Sequence, residues 1–224
     1  MAAVSTSNKH DVAVIGAGVF GAWTAYQLRR SGKSVIVIDA YGAGNSRSSS
    51  GGESRIIRMG YGPDEIYTRW AERALRLWQE FSVEANEPLF HPTGVLWLAQ
   101  DNDLYPQQCA ETLEGVGIAF EKLAPAELAQ RFPQLALDKI AWALFEPHSG
   151  ALLARRAVQA VTNEAIKKGA AYLQESVTAS TMRVPTGAAK LDSVTTSSGL
   201  RISAGTFVFA CGPWLPAVFP DLLG

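Results

Sequence analysis

The chain has 224 residues, 47% of them hydrophobic and 18% charged, with a formal net charge of −1. That length accommodates one large domain or two small ones with a sizeable core. The near-neutral balance gives no basis for nucleic acid or an anionic membrane as a partner, and no apolar run approaches the ~20 residues that cross a bilayer. The first residues, MAAVSTSNKH, are short and polar and lack the apolar core of a secretory signal. Val12 to Ile15 then reads as a buried parallel strand. Gly16, Gly18 and Gly21 follow at G-x-G-x-x-G spacing, and a helix-compatible stretch runs on to Arg30. Gly32 ends it, Val35 to Ile38 make a second strand, and Asp39 closes the unit. This is a complete β-α-β dinucleotide fingerprint.

Each residue type in that fingerprint has a physical task. Gly16 allows a sharp turn out of the strand, Gly18 removes a side chain where a pyrophosphate approaches, and Gly21 lets the helix pack close to the strands. The helix N-terminus offers free N–H groups and the positive end of its dipole to phosphates. Asp39 stands where a carboxylate accepts hydrogen bonds from ribose hydroxyls, and an acid there disfavours the 2′-phosphate of NADP.

Residues 42–54, GAGNSRSSSGGES, read as a polar loop after the second strand, at the edge where open α/β sheets bind ligands. Pro63, Asp64 and Glu65 signal a helix start. Ile66, Trp70, Ala74, Leu77, Trp78 and Phe81 then form a stripe expected to face a core. Gly94 to Ala99 reads as a strand, with helices near 103–114 and 125–131, a short strand at Trp142 to Phe145 and a turn at Pro147 to Gly150. A helix from Ala154 to Lys168 ends at Gly169, and Tyr172 to Val177 resumes a strand. Strands near 191–195 and 200–203 suggest a hairpin across Ser197, Ser198 and Gly199. Thr206 to Ala210 is a further buried-type strand before Cys211, Gly212 and Pro213.

Cys109 and Cys211 are the only cysteines, and neither belongs to a C-x-x-C, so a reducing, cytoplasmic compartment is the expectation. His10, His91 and His148 are far apart in sequence and have no metal-ligand spacing, so no metal site is expected.

At residues 53–61 the chain reads E-S-R-I-I-R-M-G-Y, with F-E-P-H-S-G at 145–150 and F-V-F-A-C-G-P-W at 207–214. Taken with the fingerprint, these resemble the sarcosine oxidase and N-methyl-amino-acid oxidase branch of the FAD-dependent amine oxidases. The resemblance covers nearly the whole chain. It implies an α/β fold: a Rossmann-like FAD-binding domain of the glutathione-reductase type with part of a mixed-sheet substrate domain. The implied organisation is an FAD-binding core and following helix over 1–90, a partial substrate domain over 91–150, and a return to the FAD-binding domain over 151–224.

By resemblance, Gly16, Gly18 and Gly21 meet the FAD pyrophosphate and Asp39 the adenosine ribose. The serine-rich loop with Ser49 and Ser50 runs toward the flavin. Arg55 matches an arginine near the flavin ring, and Arg58 matches the arginine that grips the substrate carboxylate. Val177 is similar to a residue whose backbone meets adenine, and Gly212 and Trp214 match a turn returning to the cofactor. The chemistry is compatible: a guanidinium holds a carboxylate through parallel hydrogen bonds, and a cation near the flavin favours its anionic reduced form. Arg55 and Arg58 are three apart, so a regular strand points them to opposite faces, and both line one cavity only where the backbone bends.

Ser50 and Gly51 stand where sarcosine oxidases commonly carry a histidine pair, a departure that bears on sarcosine as substrate. The resembled chains also continue well past residue 224, so a missing C-terminal half is expected. The implied reaction is oxidation of the C–N bond of a small secondary amine or amino acid, with O2 as a candidate acceptor giving hydrogen peroxide. The alternatives are an inactive nucleotide-binding fragment and an NAD-dependent dehydrogenase.

Overall fold

The computed structural model describes residues 10–177 and 191–219. Residues 1–9, most of the polar stretch read above, lie outside the described residues. In chain order the elements are β1 (His10–Ile15), α1 (Val19–Arg30), β2 (Val35–Ile38), β3 (Arg55–Ile57) and α2 (Glu65–Glu84). Then come β4 (Phe90–His91), β5 (Val95–Ala99), α3 (Leu104–Val116), β6 (Glu121–Leu123), α4 (Pro125–Arg131), β7 (Trp142–Glu146) and β8 (Gly150–Leu152). The last are α5 (Ala154–Lys167), β9 (Ala171–Leu173), β10 (Ser193–Thr195), β11 (Arg201–Phe209), a 3-10 turn at Gly212–Trp214 and α6 (Leu215–Val218). No helix among the described residues is long and apolar enough to cross a membrane.

The chain divides into two compact units, one of residues 1–53 with 154–224 and the other of residues 54–153. The sequence reading placed its changes of segment at 90/91 and 150/151; by contacts α2 goes with the second unit.

The first unit carries a five-stranded sheet in the order β10-β11-β1-β2-β9. Its β11, β1, β2 and β9 run parallel, while β10 is antiparallel to β11. Parallel neighbours need a helical crossover, and the glycine turn with α1 supplies it between β1 and β2. Val12 to Ile15 and Val35 to Ile38 are buried throughout, which explains why these strands read as unbroken apolar runs. Ala13, Ile15, Ile36 and Ile38 pack with Val194, Ile202 and Ala204 in one cluster. Helices α1 and α5 pack on each other, and Ala22 and Ala25 of the one and Ala157 and Val161 of the other are buried.

The second unit holds two three-stranded antiparallel sheets, β3-β8-β4 and β5-β7-β6. One cluster gathers Met59, Leu75, Cys109, Ala110, Leu113 and Leu144, and a second gathers Leu123, Leu128 and Ala143.

Three expectations change. In α2 the buried line runs through Thr68, Leu75 and Trp78, with Ala71 packed on the cluster, so it is offset from the predicted stripe in the first half of the helix. Ile66 and Trp70 are 54% and 61% exposed, because Leu75 and Ala71 set the face that meets Met59 and Leu113. The strand expected over Tyr172 to Val177 stops at Leu173, and Val177 makes only an isolated bridge to Thr196. The strands expected at 200–203 and 206–210 are one strand, β11. Its first residues pair with β10 and the rest with β1, from Ala204 opposite His10 to Phe209 opposite Ile15, and this ladder carries the backbone through Gly205.

Candidate functional site

In the first unit, β1 lies between β2 and β11, so the strand order reverses there, with β2 and β9 on one side of it and β11 and β10 on the other. A crevice at the C-terminal ends of such strands is where open α/β sheets bind ligands. The turn there needs its glycines. Gly16 has φ +104°, and a Cβ on it would collide with the carbonyl of Ala210 at the end of β11. A Cβ on Gly21 would collide with the carbonyl of Gly16, so the helix could not approach the strand as it does. Gly18 differs: a Cβ there would meet only Ser50 Oγ, at 3.2 Å, and otherwise open space. Gly18 is also the N-cap of α1 and supplies no capping side chain. First-turn N–H groups are thereby left to an incoming acceptor, apart from Val19 N–H, which donates to Ser50 Oγ at 3.2 Å.

Asp39 is half-buried and braces this turn. Its Oδ2 accepts from Ala17 N–H at 2.7 Å, and its Oδ1 from the N–H groups of Tyr41 and Gly42 at 2.8 and 2.9 Å. An ionised carboxylate has about four lone-pair sites, so capacity for one ribose hydroxyl remains.

The serine loop folds on itself. Asn45 Nδ2 donates to Gly42 O at 2.8 Å, Asn45 Oδ1 accepts from Arg47 N–H at 3.0 Å, and Ser48 Oγ donates to Asn45 O at 2.8 Å. Arg155, on α5, closes the loop's far end through Gly51 O at 3.0 and 3.1 Å and Glu53 Oε1 at 2.9 Å. Within the loop Ser50 reaches the turn at Gly18, while Ser49 is exposed. Gly212 and Trp214 lie in the 3-10 turn just after β11, and Trp214 is 41% exposed. Val177 follows the C-terminal end of β9. The glycines, Asp39, Ser50, Gly212 and Val177 therefore all come after C-terminal ends of parallel strands in one sheet.

The second unit carries the arginines. Arg55 opens β3 opposite Leu152 and is exposed, with Nη1 donating to Ser54 O at 2.9 Å. Arg58 follows the last residue of β3, where the ladder has ended, and is half-buried. Its guanidinium carbon lies 4.6 Å from the Tyr61 ring centre and 4.5 Å from that of Trp97, and Nη1 donates to Gly60 O. Two aromatic faces and one carbonyl hold the fork in place. Among the described residues Arg58 forms no ion pair.

Sequence reasoning missed Glu146. This carboxylate is 1% exposed and accepts four hydrogen bonds. Oε2 takes Met59 N–H and Ser149 Oγ–H, each at 2.6 Å, and Oε1 takes Gly60 N–H at 3.1 Å and Trp97 Nε1–H at 2.8 Å. The motif F-E-P-H-S-G contained it, but no local pattern distinguishes a buried acid from an exposed one. Nearby, burial pushes the Cys109 thiol pKa up, an effect that a hydrogen bond from Gly62 N–H partly offsets.

A central parallel strand, a glycine turn onto an uncapped helix and a bracing acid just after the next strand define a dinucleotide-binding α/β protein of Rossmann type. Residues 11–224 match the family described as FAD dependent oxidoreductase, and the chain belongs to that family. FAD is accordingly the cofactor, and NAD is set aside. The cradle suits it: the side-chain-free N-cap at Gly18 leaves room where a pyrophosphate needs it. The chain is 31% identical over 206 residues to the peroxisomal sarcosine oxidase of Mus musculus, across 91% of this chain and 50% of that protein. It is 29% identical over 214 residues to an N-methyl-L-tryptophan oxidase of Yersinia pestis, across 95% of this chain and 56% of that one. The structure of NikD, an unusual amino acid oxidase essential for nikkomycin biosynthesis, superposes with a TM-score of 0.79 at 27% identity, over 96% of this chain and 55% of NikD. The chain thus spans about half the length of the curated relatives it matches.

Proposed function

We propose that this protein oxidises the C–N bond of a small secondary amine that carries a carboxylate, an N-methyl amino acid being the type. The observation that carries this reading is Arg58: half-buried, stacked on two rings, and without an acidic partner among the described residues. Such a fork is presented for a planar carboxylate rather than used up internally. The relatives named for sarcosine and N-methyl-L-tryptophan support the substrate class, since both compounds pair a secondary amine with a carboxylate.

FAD, when bound, takes up the electron pair released from the carbon beside the amine nitrogen. The chain's own residues hold and orient. Gly16, Gly18 and Gly21 admit the pyrophosphate to the α1 N-terminus, Asp39 receives the ribose, and Ser50 sets the loop against the turn. Val177, Gly212 and Trp214 complete the cofactor's surroundings. Arg58 fixes the substrate carboxylate and with it the α-carbon, and Arg55 supplies positive charge for the reduced cofactor. The product imine hydrolyses in water. Molecular oxygen is the proposed acceptor and hydrogen peroxide the product. A reducing compartment, the cytoplasm, is proposed from the free thiols Cys109 and Cys211.

The test compares the flavin-loaded protein with its Arg58→Ala variant on sarcosine against dimethylamine and on N-methyl-L-tryptophan against N-methyltryptamine. A loss confined to the carboxylate-bearing member of each pair is expected. Equal losses on both members would overturn the assignment of Arg58.

A further inference from the structure

The carboxylate of Glu146 touches both supports of Arg58. Its Oε1 accepts from the N–H of Gly60, the residue whose carbonyl receives Arg58 Nη1. The same Oε1 accepts from Nε1 of Trp97, the indole that stacks on the Arg58 guanidinium. Trp97 pairs with Leu144 on the neighbouring strand, so Glu146 is its diagonal neighbour on one sheet face. The second oxygen is no freer: Oε2 holds Met59 N–H and the Ser149 hydroxyl.

A buried charge is costly, and a single carboxylate surrounded by neutral donors is an unusual way to finish a strand. It has a geometric use. Four donors on two oxygens fix the carboxyl plane, and a fixed carboxylate pins the Met59–Gly60 backbone and the plane of Trp97 together. Arg58 is attached to both.

We propose that Glu146 is the positioning residue for Arg58, acting through the Gly60 peptide and the Trp97 indole rather than by touching substrate. This rests on the reading of Arg58 as the carboxylate anchor. Its consequence is selective: disturbing Glu146 weakens substrates with a carboxylate and spares the matched amines.

The experiment uses the flavin-loaded protein with Glu146→Gln, Ser149→Ala, Arg58→Ala and the Arg58→Ala/Glu146→Gln double variant. A glutamine replaces one acceptor oxygen with an NH2 group that faces N–H donors, so the pinning fails. Ser149→Ala removes one donor from Oε2 without touching Gly60, Trp97 or Arg58, and it carries every measurement should Glu146→Gln not fold. For sarcosine and N-methyl-L-tryptophan, Glu146→Gln should raise KM by about tenfold or more, and Ser149→Ala by a few-fold, with little change in kcat. Dimethylamine and N-methyltryptamine should be unaffected, and the double variant should lose no more than Arg58→Ala.

A second readout needs no turnover: phenylglyoxal labelling of Arg58, mapped by mass spectrometry, should be several-fold faster in Glu146→Gln and Ser149→Ala than in the parent. Equal losses on both substrate classes, losses that add to those of Arg58→Ala, or an unchanged labelling rate would overturn the proposal. If Arg58→Ala itself shows no selectivity, the anchor reading falls. The labelling rate then decides the positioning role alone.

Discussion

The backbone N–H of Ala17 donates to Asp39 Oδ2 at 2.7 Å, so the acid that ends β2 holds the glycine turn that ends β1. Its other oxygen holds the start of the next loop at Tyr41 and Gly42. A residue expected only to meet a ribose therefore also joins two segments of the cradle.

Asp39→Ala should damage fold and cofactor binding together. Ala17, Tyr41 and Gly42 would lose their acceptor, at a cost on the order of 1–3 kcal/mol for partly buried groups left unsatisfied. Asp39→Asn keeps one acceptor oxygen and should fall between the two. Urea denaturation without FAD and equilibrium titration with FAD separate the effects. An unchanged denaturation midpoint in Asp39→Ala would show that the bracing bonds contribute nothing.

The three glycines should fail differently. Gly21→Ala puts a methyl group into the carbonyl of Gly16, which is backbone and cannot step aside, so stability should fall by about 1–3 kcal/mol or more. Gly18→Ala meets only a serine hydroxyl and should fold normally while binding FAD more weakly. Gly18→Val, with a branched Cβ, should bind it more weakly still. Thermal melting and FAD titration on the same preparations check the contrast. Equal melting losses at positions 18 and 21 would contradict it.

What the sequence discloses and what it conceals divide along one physical line. The glycine turn was legible because close approach and positive φ act within a few residues of each glycine. The interior of β1 and β2 was legible because strands buried on both faces need unbroken apolar runs. The offset of the buried line in α2 was not, since Ile66 and Trp70 match the helical period as well as Leu75 does, and only the position of Met59 and Leu113 decides between them. Glu146 was least legible of all. Its donors Met59, Gly60 and Trp97 lie 87, 86 and 49 residues away, so no spacing within one motif announces them. Residues 206–209 are strand as their apolar run suggests, but Thr206 is exposed and the rest only partly buried, and their continuity with residues 201–203 depends on pairing with β1 and β10.

Arg58→Lys should behave as a damaged anchor rather than a conservative change. A lysine keeps the charge but has no planar fork to stack between Tyr61 and Trp97, and it cannot present two parallel N–H groups. Loss of a charge-assisted pair whose partner stays buried costs on the order of 2–5 kcal/mol. The lysine variant should lose less than the alanine variant, chiefly in KM for carboxylate-bearing substrates. Wild-type KM values in Arg58→Lys would mean that charge alone suffices and that the stacked geometry is incidental.

Cys211 should give the protein a pH dependence in the alkaline range. Burial, together with the negative charge of Asp39, pushes its thiol from a usual value of 9.0 up to about 11. The folded state thus holds the proton more tightly than the unfolded chain does. The resulting stabilisation is fully present below pH 9 and is lost as pH rises from there through about 11, because the unfolded state ionises first. Cys211→Ala has no thiol to ionise, so its stability should decline less steeply than the parent's across that interval, whatever its offset at neutral pH. The native thiol should also alkylate slowly with iodoacetamide at pH 8, since the thiolate is the reacting form. Denaturation midpoints collected from pH 7 to 11 for parent and variant provide the check. Parallel curves over the whole range would show that Cys211 is not held in its neutral form.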